Sequence, residues 1–149
     1  MDADFLELYQ GIILEHNRAP QNFGPLELET ASAQGYNPSC GDDITIHLHL
    51  SGDKIDEISF TGEGCAISKA SASLLTLAVK NKSKSQAEQI ALEMLDFLTG
   101  KKAIPENPWE IGDRLALLGV RQFPMRVKCA TLAWHALLEA LKRATQTAE

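Results

Sequence analysis

Residues Asp43 to Leu50 alternate without a break: Ile44, Ile46, Leu48 and Leu50 fall on one side of an extended segment, and Thr45, His47 and His49 on the other. A period of two over this length excludes a helix and describes a strand with one buried face. Ser51-Gly52-Asp53 supplies a turn, and Lys54 to Thr61 returns as the second strand of a hairpin. Residues 27–36 read as a further, weaker strand, and Asp43 as the start of the strand that follows it. So small a sheet is unstable with its apolar face bare, so the rest of the chain must cover that face.

That cover is helical. Phe5 to Asn17 places Phe5, Leu8, Tyr9, Ile12 and Ile13 on one face, and Pro20 and Gly24 end it. Gly62-Glu63-Gly64 reads as a tight loop, and Cys65 opens a helix with the stripe Ile67, Ala70, Leu74 and Leu77, stopped at Asn81. Ser85 and Glu88 form a capping box for a third helix, which buries Ala87, Ile90, Ala91, Met94, Leu95 and Leu98 and closes at Gly100. Residues 101–113 form a connection, and a short helix over Arg114–Leu118 ends at Gly119. Cys129 opens the last helix, with Ala130, Ala133, Leu137 and Leu141 inward and a fraying tail after Arg143. Strands precede most of the helices, so the expected class is α+β: a small antiparallel sheet with helices packed on one face, in one domain over residues 1–149.

The chain has 149 residues, 44% hydrophobic, with a net charge of −6. No apolar run reaches the ~18 residues of a membrane span, and the acidic start Met1-Asp-Ala-Asp is unlike a secretory or transit signal. The net negative charge argues against nucleic-acid binding by phosphate neutralisation. Three cysteines are too few for a disulfide scaffold, so a cytoplasmic setting is expected, where thiols serve metals or chemistry. Charge is polarised: residues 1–65 carry twelve acids and two bases, residues 66–149 eight acids and twelve bases. Arg121, Arg126 and Lys128 precede the last cysteine without an acid between them. They read as a solvated surface, a docking patch, or charge favouring a thiolate.

Each thiol stands at an element boundary: Cys40 in an Asn-Pro-Ser-Cys-Gly loop, Cys65 at a helix start, Cys129 at the start of the last helix. None lies in an apolar stripe. Helix N-termini favour thiolates, the species that binds soft metals and attacks sulfur. Asp42 follows Cys40 at i+2, on the same side of an extended segment. Three thiolates and a carboxylate would complete a tetrahedral shell for zinc, and thiolates also suit iron–sulfur clusters. The gaps between cysteines contain no C-x-x-C pair, so the residues alone leave two readings: one shared site, or unrelated thiols at caps and loops.

The motifs Tyr9-Gln-Gly-Ile-Ile-Leu-Glu-His-Asn-Arg-Ala-Pro20, Asn37-Pro-Ser-Cys-Gly-Asp42, Gly62-Glu-Gly-Cys-Ala-Ile-Ser68 and Arg126-Val-Lys-Cys-Ala-Thr-Leu-Ala133 resemble the IscU/NifU N-terminal family of iron–sulfur cluster assembly. The resemblance spans essentially the whole chain in motif order. It implies three antiparallel strands with packed helices, and metal or cluster ligands at Cys40, Asp42, Cys65 and Cys129. Lys128 stands where the IscU branch has a histidine, Phe123-Pro-Met-Arg-Val-Lys128 replaces its Leu-Pro-Pro-Val-Lys chaperone segment, and the connection including Trp109 to Gln122 is longer. These features are similar to the SufU branch. That branch implies bound zinc, sulfur accepted from a cysteine desulfurase of the SufS type, and delivery to downstream Suf assembly proteins or apo-proteins. In this reading Cys40 is the sulfur acceptor, because its loop is the least tied of the three addresses, and Arg126 orients the thiol or contacts the partner. The rivals are a scaffold for a [2Fe–2S] cluster on the same ligands, and a zinc-stapled interaction domain without chemistry.

Other residues carry plainer expectations. His47 and His49 form an exposed polar strand face, and His135 is surface or structural. His16 suits the C-terminal dipole of the first helix, and Trp109 and Trp134 are core or interface anchors.

Overall fold

In the computed structural model, described over residues 3–104 and 111–147, the sheet has three antiparallel strands in the order β1-β2-β3. β1 is Ala31–Asn37, β2 Asp42–Ser51 and β3 Lys54–Glu63. Asn37 pairs with Asp42 across a four-residue turn, and Ser51 with Lys54 across Gly52-Asp53. Ile44, Ile46 and Leu48 are completely buried, while the alternate positions of β2 stay partly open. The helices are α1 (Ala3–Arg18), α2 (Ala66–Val79), α3 (Lys84–Leu98) and α4 (Val127–Thr147), with 3₁₀ helices over Asp113–Gln122 and Pro124–Arg126. α4 lies along β1 and β2. α1 and α4 flank α2, and α3 packs on α4. The α+β architecture is as expected, and Ile44, Phe60, Leu74, Met94, Phe97 and Trp134 centre one core. No described helix is long and apolar enough to cross a membrane.

Several boundaries differ from the sequence reading, each for a local reason. β1 starts at Ala31 rather than at residue 27, because Glu29 and the Leu28 carbonyl are taken by the rings of His47 and His49. β3 continues through Gly62 and Glu63, which pair with Ile44 and Asp43, so this is strand and not loop. In α2 Ala70 and Leu74 are buried as expected, with Ser68, Ser71, Ala72, Ser73, Leu75 and Val79 also inward, while Leu77 is 48% exposed. The cap of α3 is Ser83, not Ser85: its hydroxyl accepts from the Gln86 amide, and the Gln86 side chain accepts from the Ser83 amide.

The short helix does not stop at Gly119. That glycine packs against the ring of Tyr9, where a Cβ would approach to 2.6 Å, and the 3₁₀ helix runs on to Gln122. α4 begins two residues before Cys129 and stays helical to Thr147, with Ala144 buried and Arg143 donating to the Ser32 carbonyl at 3.0 Å. On α1, Tyr9 and Ile13 are buried as expected. The side chains of Phe5 and Leu8, and Trp109 with residues 105–110, lie outside the described residues. His135 is exposed on α4. Trp134 is a core residue whose indole N–H donates to Ser71 Oγ at 3.0 Å.

Candidate metal centre

The turn from β1 to β2 is set by Asn37. Its side-chain oxygen accepts from the Ser39 amide at 3.2 Å and its carbonyl from the Cys40 amide at 3.3 Å. Its amide nitrogen donates to Cys40 Sγ at 3.6 Å. This local bonding presents the Cys40 thiol at the surface.

Asp42, the first residue of β2, is completely buried beside the N-terminus of α2. Its Oδ1 accepts from the backbone amide of Cys65, the N-cap residue, at 2.8 Å and from Ser68 Oγ at 3.2 Å. That amide is one of the donors a helix start leaves free. Gly64 permits the approach: a Cβ there would stand 2.2 Å from Ser68 Oγ and 2.9 Å from Asp42 Oδ1. With Oδ1 occupied, Oδ2 is the oxygen turned to the thiols, 3.9 Å from Cys65 Sγ.

Cys129 enters from the first turn of α4 and is wholly buried, although it stands outside the apolar stripe read for that helix. Its neighbour Ala130 gives its carbonyl to Ser71 Oγ at 2.6 Å, which fixes α4 against α2. Cys129 Sγ stands 3.4 Å from Cys40 Sγ. Burial, then hydrogen bonding with Cys40 and Asp42, pushes the Cys129 thiol well above the usual range. Exposed Arg126 lies alongside. Interaction with the sulfurs of Cys129, Cys65 and Cys40 holds its charge more firmly.

The ligand atoms of Cys40, Asp42 and Cys129 thus lie within 4.8 Å of one another. Cys65, half-buried, reaches Asp42 but stands outside that mutual spacing. Two sulfurs on one tetrahedral zinc stand about 3.8 Å apart, so the 3.4 Å between Cys40 and Cys129 fits a shared ion with little adjustment. Soft thiols joined by one carboxylate match zinc or iron, and not a hard cation such as magnesium.

The other sequence candidates stay apart from this cluster. His47 bridges Glu29 and Thr61, and His49 contacts the Leu28 carbonyl. His16 bonds Ser73 Oγ at 2.7 Å, and burial holds its imidazole below the usual range, which works against the charge–dipole role expected for it. Sequence reasoning missed the supporting residues. Asn37 was discoverable from the turn chemistry of Asn-Pro-Ser. Ser68 and Gly64 gave no signal, because their partner Asp42 is distant in sequence.

The family model described as NifU-like N terminal domain matches residues 8–146. The chain is 42% identical over 138 residues to the iron-sulfur cluster assembly scaffold protein IscU of Streptococcus pyogenes serotype M1, covering 91% of this chain and 84% of that one. It is 40% identical over 136 residues to the zinc-dependent sulfurtransferase SufU of Bacillus subtilis (strain 168), covering 91% and 90%. A crystal structure of a putative iron-sulfur cluster assembly scaffold protein for the SUF system, from Fervidobacterium islandicum AW-1, superposes with a TM-score of 0.81. Its identity is 32%, covering 91% of this chain and 97% of that one. With most of its length matched in sequence and fold, this chain belongs to the NifU-like N-terminal domain family.

Proposed function

We propose that the chain is a zinc-holding sulfur acceptor of iron–sulfur cluster assembly in the cytoplasm. It takes sulfur from a cysteine desulfurase of the SufS type and hands it to downstream assembly proteins or apo-proteins. The observation that carries this reading is the graded exposure of three thiols around one buried carboxylate: Cys40 exposed, Cys65 intermediate, Cys129 buried. The Bacillus relative's name, zinc-dependent sulfurtransferase, supports the same chemistry.

In this reading Cys40, Asp42, Cys65 and Cys129 hold the ion. Bound zinc keeps its thiol ligands deprotonated at neutral pH and shields them from oxidation. Asn37 presents Cys40 to a partner. The Cys40 thiolate attacks the outer sulfur of the desulfurase's cysteine persulfide. The partner's S–S bond breaks, its electron pair returns to the desulfurase cysteine, and the sulfur remains as a persulfide on Cys40. Cys129 is too deep to be the first acceptor. Asp42, its Oδ1 engaged by Cys65 and Ser68, offers Oδ2 to the ion. Arg126 steadies negative charge on the thiols and aims its fork of donors at the partner.

The test is transfer of labelled sulfur from the desulfurase with zinc analysis of both proteins. Wild type accepts label and carries zinc, and Cys40→Ser accepts none. Normal labelling of Cys40→Ser would reject the assignment. Arg126→Ala should raise the KM for the chain in desulfurase stimulation more than it lowers kcat, and equal losses in both would remove its partner role.

The name of the Streptococcus relative favours a second reading, a scaffold whose cargo is a [2Fe–2S] cluster on the same ligands. Anaerobic reconstitution with iron and sulfide separates the two. A coloured protein that transfers its cluster favours the scaffold, and a colourless zinc protein that accelerates the desulfurase favours the relay.

A further inference from the structure

The thiol that Cys40 faces is Cys129, and the two sulfurs are 3.4 Å apart, in contact but far beyond the ~2.05 Å of a bond. That separation falls within the ~3–3.5 Å of a near-attack geometry. Cys40 is exposed and Cys129 is wholly buried, so an outside donor reaches the first and only the first reaches the second. Exposed Arg126, three residues before Cys129, is the cation whose charge the sulfurs of this pair favour.

We infer that Cys129 is a resolving thiol, which releases sulfide from a Cys40 persulfide and leaves a Cys40–Cys129 disulfide. This rests on Cys40 as the sulfur acceptor. In a Cys40 persulfide the inner sulfur is Cys40 Sγ itself, the atom Cys129 Sγ already touches. As its proton passes to the outer sulfur, Cys129 Sγ attacks that inner sulfur, and a new S–S bond forms between the two side chains. The persulfide S–S bond breaks, and its electron pair leaves with the outer sulfur and its proton as HS⁻. Two electrons pass from the thiol pair to the sulfane sulfur, so no external oxidant or reductant enters the step. Sulfide, the form that combines with iron, is thereby produced beside Cys65 and Asp42. The disulfide removes two of the four donors, so zinc leaves as sulfide appears. A dithiol reductant restores the pair for another round.

The zinc-loaded protein is treated anaerobically with a sodium polysulfide and, separately, with the desulfurase and cysteine. Sulfide, released zinc and cysteine-containing peptides are followed by rapid quench and mass spectrometry. Wild type should show a Cys40 persulfide that decays to about one sulfide and one Cys40–Cys129 disulfide per chain, with zinc release in step. In Cys129→Ser the Cys40 persulfide should decay at least about 100-fold more slowly. Peptide mapping of wild type gives the same answer without a variant, should Cys129→Ser fail to fold. A stable Cys40 persulfide in wild type, with no disulfide to Cys129, would overturn the inference. Resolution with polysulfide but no labelling by the desulfurase would instead remove the relay reading and leave the resolving chemistry standing.

Discussion

Replacing Ser68 by alanine takes one donor from the carboxylate of Asp42 and leaves the ligand atoms themselves untouched. Loss of a group that orients a metal ligand costs 10–100-fold in affinity as a rule, about 1.4–2.8 kcal/mol. The structure places Ser68 near the lower end. Its single hydroxyl proton is shared between Asp42 Oδ1 at 3.2 Å and the Cys65 carbonyl at 3.0 Å, and the Cys65 amide keeps its 2.8 Å bond to the same oxygen. The expected change is therefore about tenfold weaker zinc binding. Competition against a chromophoric chelator reads this directly. Ser83→Ala serves as the control, since it weakens α3 without touching the centre and should leave zinc affinity unchanged. Equal zinc affinity in Ser68→Ala and wild type, with both folded, would show that Asp42 is oriented by something other than this bond, or is not a ligand.

Other outcomes follow from the same geometry. Ser83→Ala should lower stability by about 1 kcal/mol while Ser85→Ala changes little, because the cap is at Ser83; the reverse order in denaturant titrations would contradict the capping box. Ser71→Ala strands the Trp134 indole N–H in the core and should cost about 2 kcal/mol; a change under ~0.5 kcal/mol would mean that this N–H finds another acceptor. His16 is held below its ordinary range by burial, although Asp113 and Glu15 push the other way. The unfolded chain thus binds the proton more readily. Stability from this group is full above the ordinary histidine range near ~6.5 and falls as pH drops through it. His16→Gln should flatten that slope, and an unchanged profile would assign it to other groups.

What the sequence revealed and concealed divides along physical lines. The β2–β3 hairpin was legible because Ile44, Ile46 and Leu48 alternate with polar residues and Gly52 marks the turn. Cys40, Asp42, Cys65 and Cys129 stood out singly because each stands at an element boundary, but the residues alone left open whether they share a site; the structure brings Cys40, Asp42 and Cys129 within 4.8 Å of one another and leaves Cys65 outside that spacing. The face of α2 was legible only in part: Ala70 and Leu74 are buried as read, but beside them the core side carries serines whose hydroxyls bond Trp134, Ala130, Gln21 and Asp42. Pattern reading weighs side-chain hydrophobicity, and so it turned Leu77 inward. The capping box went to Ser85 because two serines two residues apart both satisfy the motif; the one that caps, Ser83, also bridges to Lys54 on β3. The depth of Cys129 was hidden for a similar reason. α4 starts two residues earlier than the thiol, and one turn of helix is enough to carry a side chain from the rim to the interior.

The donors ride on the ends of tightly packed segments: a four-residue hairpin turn, a helix cap and the first turn of α4. The stretch joining α3 to the long 3₁₀ helix contributes none of them. Lengthening or trimming that stretch leaves the spacing of the sulfurs to be dictated by how α2 and α4 stack on the strands. The length of that connection can therefore change while the chemistry at the thiols stays constant.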